Sequence, residues 1–554
     1  MPTKKISVKI LQLTLLVCFF SSCKFRQKID LLVLHAKIYT VDKQFDTAEA
    51  MAINDGKIIA VGKNEDIQKE YEAAEEINAS GKFIYPGFID AHAHFFNYGQ
   101  TLNEVNLVDT KSWDDCIERI KTFVKEKKLT PGQWLQGRGW DQNDWDIKEY
   151  PEKKMLDSLF PDNPVIFGRI DGHAAIANQA ALDKAGIKPN QKAAGGNIET
   201  KNNQLTGILI DNAVDLVSSV IPDATKEELS EGLMAAQKNC FAVGLTTVFD
   251  CGLLKKNIDL IDELQKAGQL KMRIDAMLTD SSVNYDYYLQ HGPYKTDRLN
   301  VSSFKLYADG ALGSRGACMI NEYSDKPGWH GFLLKDTTYY KQVIKKLYDS
   351  KFQVCTHAIG DSGNRTILKI YADVLKGKND RRWRIEHAQV INENDFHFFG
   401  DYNIIPSVQP THATSDMYWA AQRVGPTVIK GAYAYQQLLQ QNQWIPLGTD
   451  FPVEDISPFK TFYAAVTRQD SKGFPPGGFQ MENALSREQA MRGITIWAAR
   501  SGFEENKKGS LEAGKFADFI IIDKDLMYCA PMEILEAKII SSFINGEIVY
   551  KKSP

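Results

Sequence analysis

Short runs of apolar residues alternate with more polar stretches along the whole chain, but their spacing differs between the ends and the middle. Near both ends, turn residues alone separate the runs, which is typical of antiparallel β-sheet. Asn54-Asp55-Gly56 and Asn545-Gly546 are tight turn signals between two such runs. We therefore expect a small β-sandwich domain formed by both chain ends, from residues 29–84 and 501–552.

In the middle of the chain, apolar runs alternate with helical patterns such as those at 225–243 and 338–350. This alternation is the sequence sign of a parallel α/β fold. One run ends at His92, and seven more follow at 245–250, 272–278, 303–308, 352–357, 383–387, 404–408 and 444–450. Eight such units predict a closed (β/α)8 TIM barrel over residues 85–500, with an open doubly wound sheet as the alternative.

Residues 96–224 do not follow this alternation and contain an aromatic segment with Trp140 and Trp145. We interpret them as a large insertion after the first barrel strand, placed over the barrel mouth where it shapes a pocket. The two tryptophans could line that pocket or pack in a core. The apolar character of the insertion weakly favours an uncharged, partly apolar small molecule as the substrate.

The first residues have the pattern of a secretory signal. Three lysines precede an apolar run at 10–20, and two serines then stand before Cys23. The run is too short to span a bilayer comfortably. We expect residues 1–23 to be a bacterial lipoprotein signal with a lipidated Cys23, and hence an exported, membrane-anchored protein of the cell envelope. An ordinary cleaved signal is the alternative.

The composition of the chain limits the classes of partner that we expect for the protein. The chain has 554 residues, 43% hydrophobic and 25% charged, with a formal net charge of −4. This balance gives no reason to expect nucleic acid as a partner. Six scattered cysteines follow Cys23 without a C-x-x-C pair, which predicts free thiols and no disulfide framework. A homodimer is one candidate oligomeric state.

Polar residues stand at or near the ends of several predicted strands. They are His92 and His94 on the first strand, and Lys305, His357, His387 and Asp450 on four later ones. A polar group in such a place is costly unless it has a function, and reactive residues of a barrel lie at the carboxyl ends of its strands. Four imidazoles and a carboxylate at one rim predict a divalent metal site. An ammonium group cannot bind a cation, so Lys305 becomes a ligand only as a carbamate. A pair with Asp309 or another carboxylate is the alternative.

The chain resembles the amidohydrolase superfamily, and within it the branch of N-substituted formamide deformylases and related metal-dependent hydrolases. The motifs that carry the resemblance lie at 86–94, 139–141, 171–173, 304–314, 356–361, 385–387, 448–450 and 509–518. The resemblance implies that the four histidines bind metal and that Asp450 is both a ligand and the general base. It also allows a carboxylated Lys305 that bridges two ions.

These observations predict hydrolysis of an amide-like, non-peptide C–N bond in a small molecule by a metal-activated hydroxide. Asp450 would orient the water and carry its proton to the leaving amine. His173 and His412 are candidate catalytic contacts to the substrate or the oxyanion, or else structural histidines nearby. Arg315 could bind a substrate carboxylate. We expect one or two divalent ions per chain, with zinc favoured.

Two other functions remain open at this stage. Activated hydroxide is not selective by itself, so the same site could hydrolyse a lactone or a phosphoester. A lipid-anchored protein that only binds a ligand or metal is the second alternative. The presence of Asp450 together with all four histidines favours an enzyme.

Overall fold

The structure, a computed structural model, describes residues 26–102, 104–127 and 129–553. The predicted signal at 1–23, with Cys23, lies outside these described residues. No helix within them is long and apolar enough to cross a membrane. All six cysteines that follow Cys23 are free, as expected.

The described chain begins with seven strands and one helix. They are β1 (Gln27–Leu34), β2 (Lys37–Tyr39), β3 (Thr47–Ala48), β4 (Ala50–Asn54), β5 (Lys57–Gly62), α1 (Asn64–Glu70), β6 (Tyr71–Asn78) and β7 (Phe83–Pro86). The predicted turn at Asn54-Asp55-Gly56 joins β4 to β5, which pair antiparallel. Gly56 has a φ of +70°, which suits a glycine in this turn.

The first barrel strand and the region at 96–224 come next. Their elements are β8 (Phe88–Ala93), α2 (Phe95–Thr101), β9 (Val105–Asn106), α3 (Trp113–Lys127), β10 (Leu135–Trp140), α4 (Lys154–Leu159), β11 (Val165–Arg169), β12 (Ala174–Ala177), α5 (Gln179–Lys184), β13 (Gly196–Lys201), β14 (Gln204–Asp211) and α6 (Asn212–Ser218). Strands β9 to β14 form their own sheet in the order β13-β14-β12-β11-β10-β9. Trp140 and Trp145 are buried in the core against this sheet and do not line the pocket.

The alternation predicted for the middle of the chain is observed. Its elements are α7 (Lys226–Ala242), β15 (Leu245–Leu253), α8 (Lys255–Lys266), β16 (Arg273–Thr279), α9 (Ser282–His291), β17 (Tyr294–Lys295), β18 (Leu299–Tyr307), α10 (Thr337–Ser350), β19 (Gln353–Ala358), α11 (Asp361–Leu375), β20 (Arg384–His387), α12 (His397–Asp401), β21 (Ile405–Ser407), α13 (Pro410–Asp416), α14 (Ala420–Val428), α15 (Tyr435–Asn442), α16 (Pro458–Thr467), α17 (Arg487–Gly493) and α18 (Ile496–Ser501). Helix α7 begins with a capping box in which Thr225 and Glu228 satisfy each other's backbone amides.

Seven parallel strands form the barrel sheet in the order β8-β15-β16-β18-β19-β20-β21. The gap between β21 and β8 is closed by the segment at 444–450. Gly448 N donates to Val408 O at 3.0 Å after β21, and Ala91 N in β8 donates to Leu447 O at 3.1 Å. The barrel is therefore a (β/α)8 fold and not an open doubly wound sheet.

The prediction of a regular eighth strand at 444–450 is wrong. Pro446 has no amide hydrogen to donate to a ladder, and Asp450 has a φ of +65°, outside the β region. The segment instead makes two backbone hydrogen bonds on each side, to Val408 after β21 and to Ala91 and His92 of β8. Its one bridge joins Val408 and Leu447.

The chain ends with β22 (Phe519–Ile522), α19 (Glu533–Glu536), β23 (Ile539–Ile544) and β24 (Glu547–Lys551). Strands from both chain ends share one sheet, in the order β24-β23-β22-β7-β2-β3, beside a second sheet in the order β5-β4-β1-β6. Residues of the two sheets, such as Val33, Ile84 and Phe519, are buried in one apolar cluster. Arg273 of the barrel reaches this region through a buried ion pair with Asp518.

Candidate metal centre

The six predicted metal ligands come together at the carboxyl ends of the barrel strands. One nitrogen each of His92 and His387 and a carboxylate oxygen of Asp450 all lie within 4.8 Å of one another. His94 joins them, because its Nε2 lies 3.2 Å from Asp450 Oδ1. The ring centroids of His357 and His387 are 4.6 Å apart.

The protonation states of these side chains suit a divalent cation. Burial lowers the pKa of His92 to about 4 and holds the pKa of His387 well below its usual value, so both imidazoles are neutral. Burial opposes ionisation of Asp450, but the neighbouring rings of His412 and His94 outweigh it and hold its pKa well below the usual range. Neutral imidazoles and an ionised carboxylate are the donor set that zinc and similar ions bind.

Two polar atoms of the centre are buried without a hydrogen-bond partner in the described chain, His357 Nε2 and Asp450 Oδ1. Leaving a buried polar group unsatisfied costs about 1–3 kcal/mol, so such atoms call for an explanation. Coordination of a metal ion would satisfy each of these atoms. The residues present therefore fit a bound metal ion.

Hydrogen bonds on the far side of three rings fix how they face the centre. Nδ1 of His92 donates to Glu386 at 2.5 Å, and Nδ1 of His94 donates to the carbonyl of Cys251 at 3.0 Å. Nδ1 of His387 donates to the side-chain oxygen of Gln409 at 2.8 Å. Each bond selects the tautomer that leaves Nε2 free to bind a metal.

Lys305 is fully buried and has no carboxylate within ion-pair distance in the part of the chain that the structure describes. Its Nζ lies 3.2 Å from His92 Nε2. The alternative pair with Asp309 is not observed, since that carboxylate accepts hydrogen bonds from the amides of Ile359, Gly360 and Cys318. Lys305 thus lies beside the candidate metal site, without a counter-ion among the described residues.

His412 contacts the candidate general base directly. Its Nε2 lies 3.2 Å from Asp450 Oδ2, and its Nδ1 lies 3.0 Å from Glu454. Burial opposes the charged ring, but the two carboxylates outweigh it and hold the pKa of His412 well above its usual value. His412 is therefore a charged hydrogen-bond donor to Asp450.

His173 approaches the centre from the region at 96–224, with its ring centroid 5.2 Å from that of His357. Its Nδ1 donates to Asp211 at 2.7 Å. Burial opposes the charged ring, yet the bond to Asp211 outweighs it and raises the pKa of His173. Its Nε2 has no protein partner within the described ranges and is not buried, so it faces the cavity that the residue lines.

Two residues of the centre have unusual backbone conformations. His387 has a φ of +71° and Asp450 a φ of +65°, a region that residues other than glycine rarely occupy. Such strain persists where the surrounding structure holds it in place. Asp90 provides part of this hold, since it accepts hydrogen bonds from the backbone amides of His92 and Thr449.

A cavity of about 1230 Å³ opens above the centre. Barrel residues such as His387 and Asp450 form its floor, and Arg138, Asp171 and His173 of the region at 96–224 form part of its wall. Arg315 does not line it and is ion-paired with Asp325 at 3.0 Å. The hypothesis that Arg315 binds a substrate carboxylate is therefore not supported.

Sequence reasoning missed the carboxylates that orient the histidines, namely Glu386, Asp211 and Glu454. Glu386 offered a signal, because it directly precedes His387 on a buried strand and must have a partner there. Asp211 and Glu454 carried none, since each depends on which segments the fold brings together.

The chain belongs to the amidohydrolase family, whose sequence profile matches residues 75–550. It is 32% identical to Protein LONG AFTER FAR-RED 3 of Arabidopsis thaliana over 94% of this chain and 91% of that protein. It is 30% identical to the putative amidohydrolase YtcJ of Bacillus subtilis (strain 168), over 93% of this chain and 98% of the relative. An N-substituted formamide deformylase of Arthrobacter pascens is 24% identical over 95% of this chain and 99% of that protein.

A solved structure supports the fold. An uncharacterized metal-dependent hydrolase from Pyrococcus horikoshii OT3 superimposes with a TM-score of 0.75 at 27% identity, covering 90% of this chain and 99% of that one. The resemblance to amidohydrolases is thus confirmed. The protein is an enzyme of that family, with a TIM-barrel fold and a candidate metal site of His92, His387 and Asp450.

Proposed function

We propose that this enzyme hydrolyses an amide-like, non-peptide C–N bond of a small molecule at a divalent metal centre. The ligands are His92, His94, Lys305, His357, His387 and Asp450. The observation that carries the proposal is the convergence of neutral imidazoles and an ionised carboxylate around unsatisfied buried atoms at the floor of the cavity. Relatives named as an amidohydrolase and a formamide deformylase support the choice of bond.

A bound divalent ion supplies Lewis-acid activation of water and of the carbonyl group. Asp450 is ionised and accepts the proton of the attacking water. His412 holds the second oxygen of Asp450, so the carboxylate keeps one orientation while it passes that proton to the leaving amine. His173 presents its Nε2 to the cavity, where it donates a hydrogen bond to the oxygen that becomes negative during attack.

Zinc is the proposed metal, because four of the six ligands are imidazoles. Two ions require a bridging anion, and a carbamate on Lys305 would provide it. The buried position of Lys305 beside His92, without a carboxylate partner among the described residues, supports this modification.

Elemental analysis of signal-free protein, purified without added metal, tests the centre. We expect about two zinc ions per chain, and Lys305→Ala should lose at least one of them. Lys341→Ala, which removes an exposed lysine from helix α10, is the matched control and should keep both. One ion in the unmodified protein would remove the bridging role of Lys305. No metal, and none after reconstitution, would refute the mechanism.

A panel of small N-substituted formamides tests the bond. We expect amine release by the metal-loaded enzyme and about a thousandfold lower kcat for Asp450→Asn, because proton transfer contributes roughly 10²–10⁴-fold. A lactone or a phosphoester that is turned over faster than every amide would instead establish the other hydrolase function.

We also propose that Cys23 is lipidated and anchors the exported enzyme to a membrane of a bacterial cell envelope, on the pattern of residues 1–23. Expression of the full chain with labelled palmitate should label the protein. Cys23→Ser should abolish the label, and Cys529→Ser should keep it. Labelling of Cys23→Ser would contradict the anchor.

A further inference from the structure

Arg138 is a cation in the cavity wall that forms no ion pair with any described residue. Three arginines line the cavity: Arg119, Arg138 and Arg169. Arg119 lies 3.7 Å from Asp115, and Arg169 lies 2.6 Å from Asp171. Within the described ranges, no carboxylate lies within 4.0 Å of the Arg138 guanidinium. Of the three, Arg138 alone is left to meet an anion from outside the protein.

Most hydrogen-bond donors of Arg138 are free. Its Nη2 donates to the carbonyl of Ile170 at 3.0 Å, and this is its one side-chain hydrogen bond to the described chain. A guanidinium has five N–H donors. None of the Arg138 nitrogens is both buried and unpartnered, so the remaining donors are open to the cavity.

The strand that carries Arg138 holds it firmly. It lies in β10, between β9 and β11, with Arg138 opposite Asn106 on one side and Gly168 on the other. Gly139 has a φ of +107°, and a Cβ there would come within 2.5 Å of Val108. The backbone that carries Arg138 is therefore fixed, and the bond from Nη2 to the Ile170 carbonyl orients the guanidinium.

Arg138 shares its surroundings with the reaction centre. Burial lowers its pKa to about 10, against the attraction of Glu104, Asp450 and Asp171, so the group stays charged at neutral pH. Glu104 acts on it most strongly but lies beyond ion-pair distance, and burial raises the pKa of Glu104 itself. The described protein thus compensates the desolvation cost of Arg138 only in part.

We propose that Arg138 binds a carboxylate of the substrate, which makes the substrate a small N-acyl compound with a carboxylate separate from the bond that is cleaved. This inference rests on the proposed function and narrows its substrate class. The planar fork of the guanidinium matches the two oxygens of a carboxylate and forms two parallel hydrogen bonds. It departs from the uncharged substrate that the apolar character of residues 96–224 favoured.

A pair of probes that differ only in the carboxylate tests the proposal on the metal-loaded enzyme. They are N-formylphenylalanine and N-formylphenethylamine. We expect the intact enzyme to prefer the acid by about 10- to 100-fold in kcat/KM, the range of charge-assisted hydrogen bonds. Arg138→Gln should remove this preference through KM and leave kcat/KM for the neutral probe within about twofold.

Matched variants distinguish a direct contact with Arg138 from the overall electrostatic field of the cavity. Lys111→Gln removes another cation of the cavity wall, one that is exposed, and should keep the preference. Glu104→Gln removes the competing acid and should keep or increase it. A preference for the neutral probe in the intact enzyme, or an equal loss for both probes in Arg138→Gln, would overturn the proposal. A loss of the preference in Lys111→Gln as large as that in Arg138→Gln would also overturn the proposal.

Calorimetric binding keeps the two proposals distinct. If the intact enzyme cleaves neither probe, the proposed formamide chemistry fails and the arginine is tested with phenylacetate as a ligand. If phenylacetate also binds the metal, that contribution to the affinity is the same in all variants. The difference in Kd between variants therefore reports on Arg138 alone. We then expect Kd to rise at least tenfold in Arg138→Gln and to stay unchanged in Lys111→Gln. Equal affinity of the intact enzyme and Arg138→Gln refutes the assignment.

Discussion

Asp211 holds His173 over the reaction centre through a hydrogen bond of 2.7 Å to Nδ1. Asp211 ends β14 with a φ of +51°, and Gly310 and Gly316 pack so closely that a Cβ on either would meet its carboxylate. Neither residue is a predicted metal ligand. Variants of this pair therefore test His173 as a hydrogen-bond donor without changing a predicted metal ligand.

Asp211→Asn should lower kcat by about 10- to 100-fold, because His173 loses the carboxylate that favours its protonated form and fixes its orientation. His173→Asn should cause a similar loss. The double variant should be no worse than either single one, since both changes remove the same function. Steady-state kinetics of the three variants measures this. Asp215→Asn, an exposed carboxyl on the following helix, should behave like the unmodified enzyme, and independent losses at 173 and 211 would contradict the pairing.

Glu386→Gln should weaken metal binding by about 10- to 100-fold, since Glu386 orients His92 and keeps it a strong ligand. The measurement is a competition titration with a chelator. The change also leaves the buried charge of Arg384 without its carboxylate, so a fall of about 3–5 kcal/mol in the free energy of unfolding is expected. Glu505→Gln, which removes a partner of the more exposed Arg382, should leave metal affinity intact.

Asp275 makes stability depend on pH away from the metal centre. Burial, together with the nearby Glu504 carboxylate, raises its pKa to about 7 in the folded protein. The folded state then binds a proton that the unfolded state has released above about pH 4, so stability falls as the pH rises through 7.

Chemical denaturation at pH 5 and pH 8 measures this effect. The free energy of unfolding should fall by about 2–4 kcal/mol more in the unmodified protein than in Asp275→Asn. Asp286→Asn, on an exposed position of helix α9, should follow the unmodified protein. A pH dependence that is identical with Asp275→Asn would show that Asp275 does not titrate in this range.

Asp518→Asn should destabilise the contact between the barrel and the sheet of the chain ends. Arg273 Nε lies 2.5 Å from Asp518, and both side chains are buried. Loss of one partner of a buried ion pair costs about 3–5 kcal/mol. Thermal unfolding should show a lower Tm with metal binding retained. Asp523→Asn, outside that contact, is the control, and an unchanged Tm in Asp518→Asn would contradict the role.

The barrel could be predicted because its strands are continuous apolar runs, such as β15 and β19, with polar residues at their carboxyl ends. The candidate metal site of His92, His387 and Asp450 followed from the same rule. The prediction of a regular eighth strand failed because Pro446 cannot donate to a ladder and the backbone of Asp450 lies outside the β region. Asp211, Glu454 and Arg138 could not be found, because their roles depend on how residues 96–224 and the barrel loops meet in space.

The segment at 444–450, which closes the barrel, also has a consequence for the synthesis of the chain. Thr449 binds Asp90 across 359 positions of the chain, and Asp450 N donates to His92 O beside it. Contacts so distant in sequence form late and slowly. A chain that ends before residue 444 would therefore hold most of the candidate metal ligands but neither the ring closure nor the candidate base Asp450.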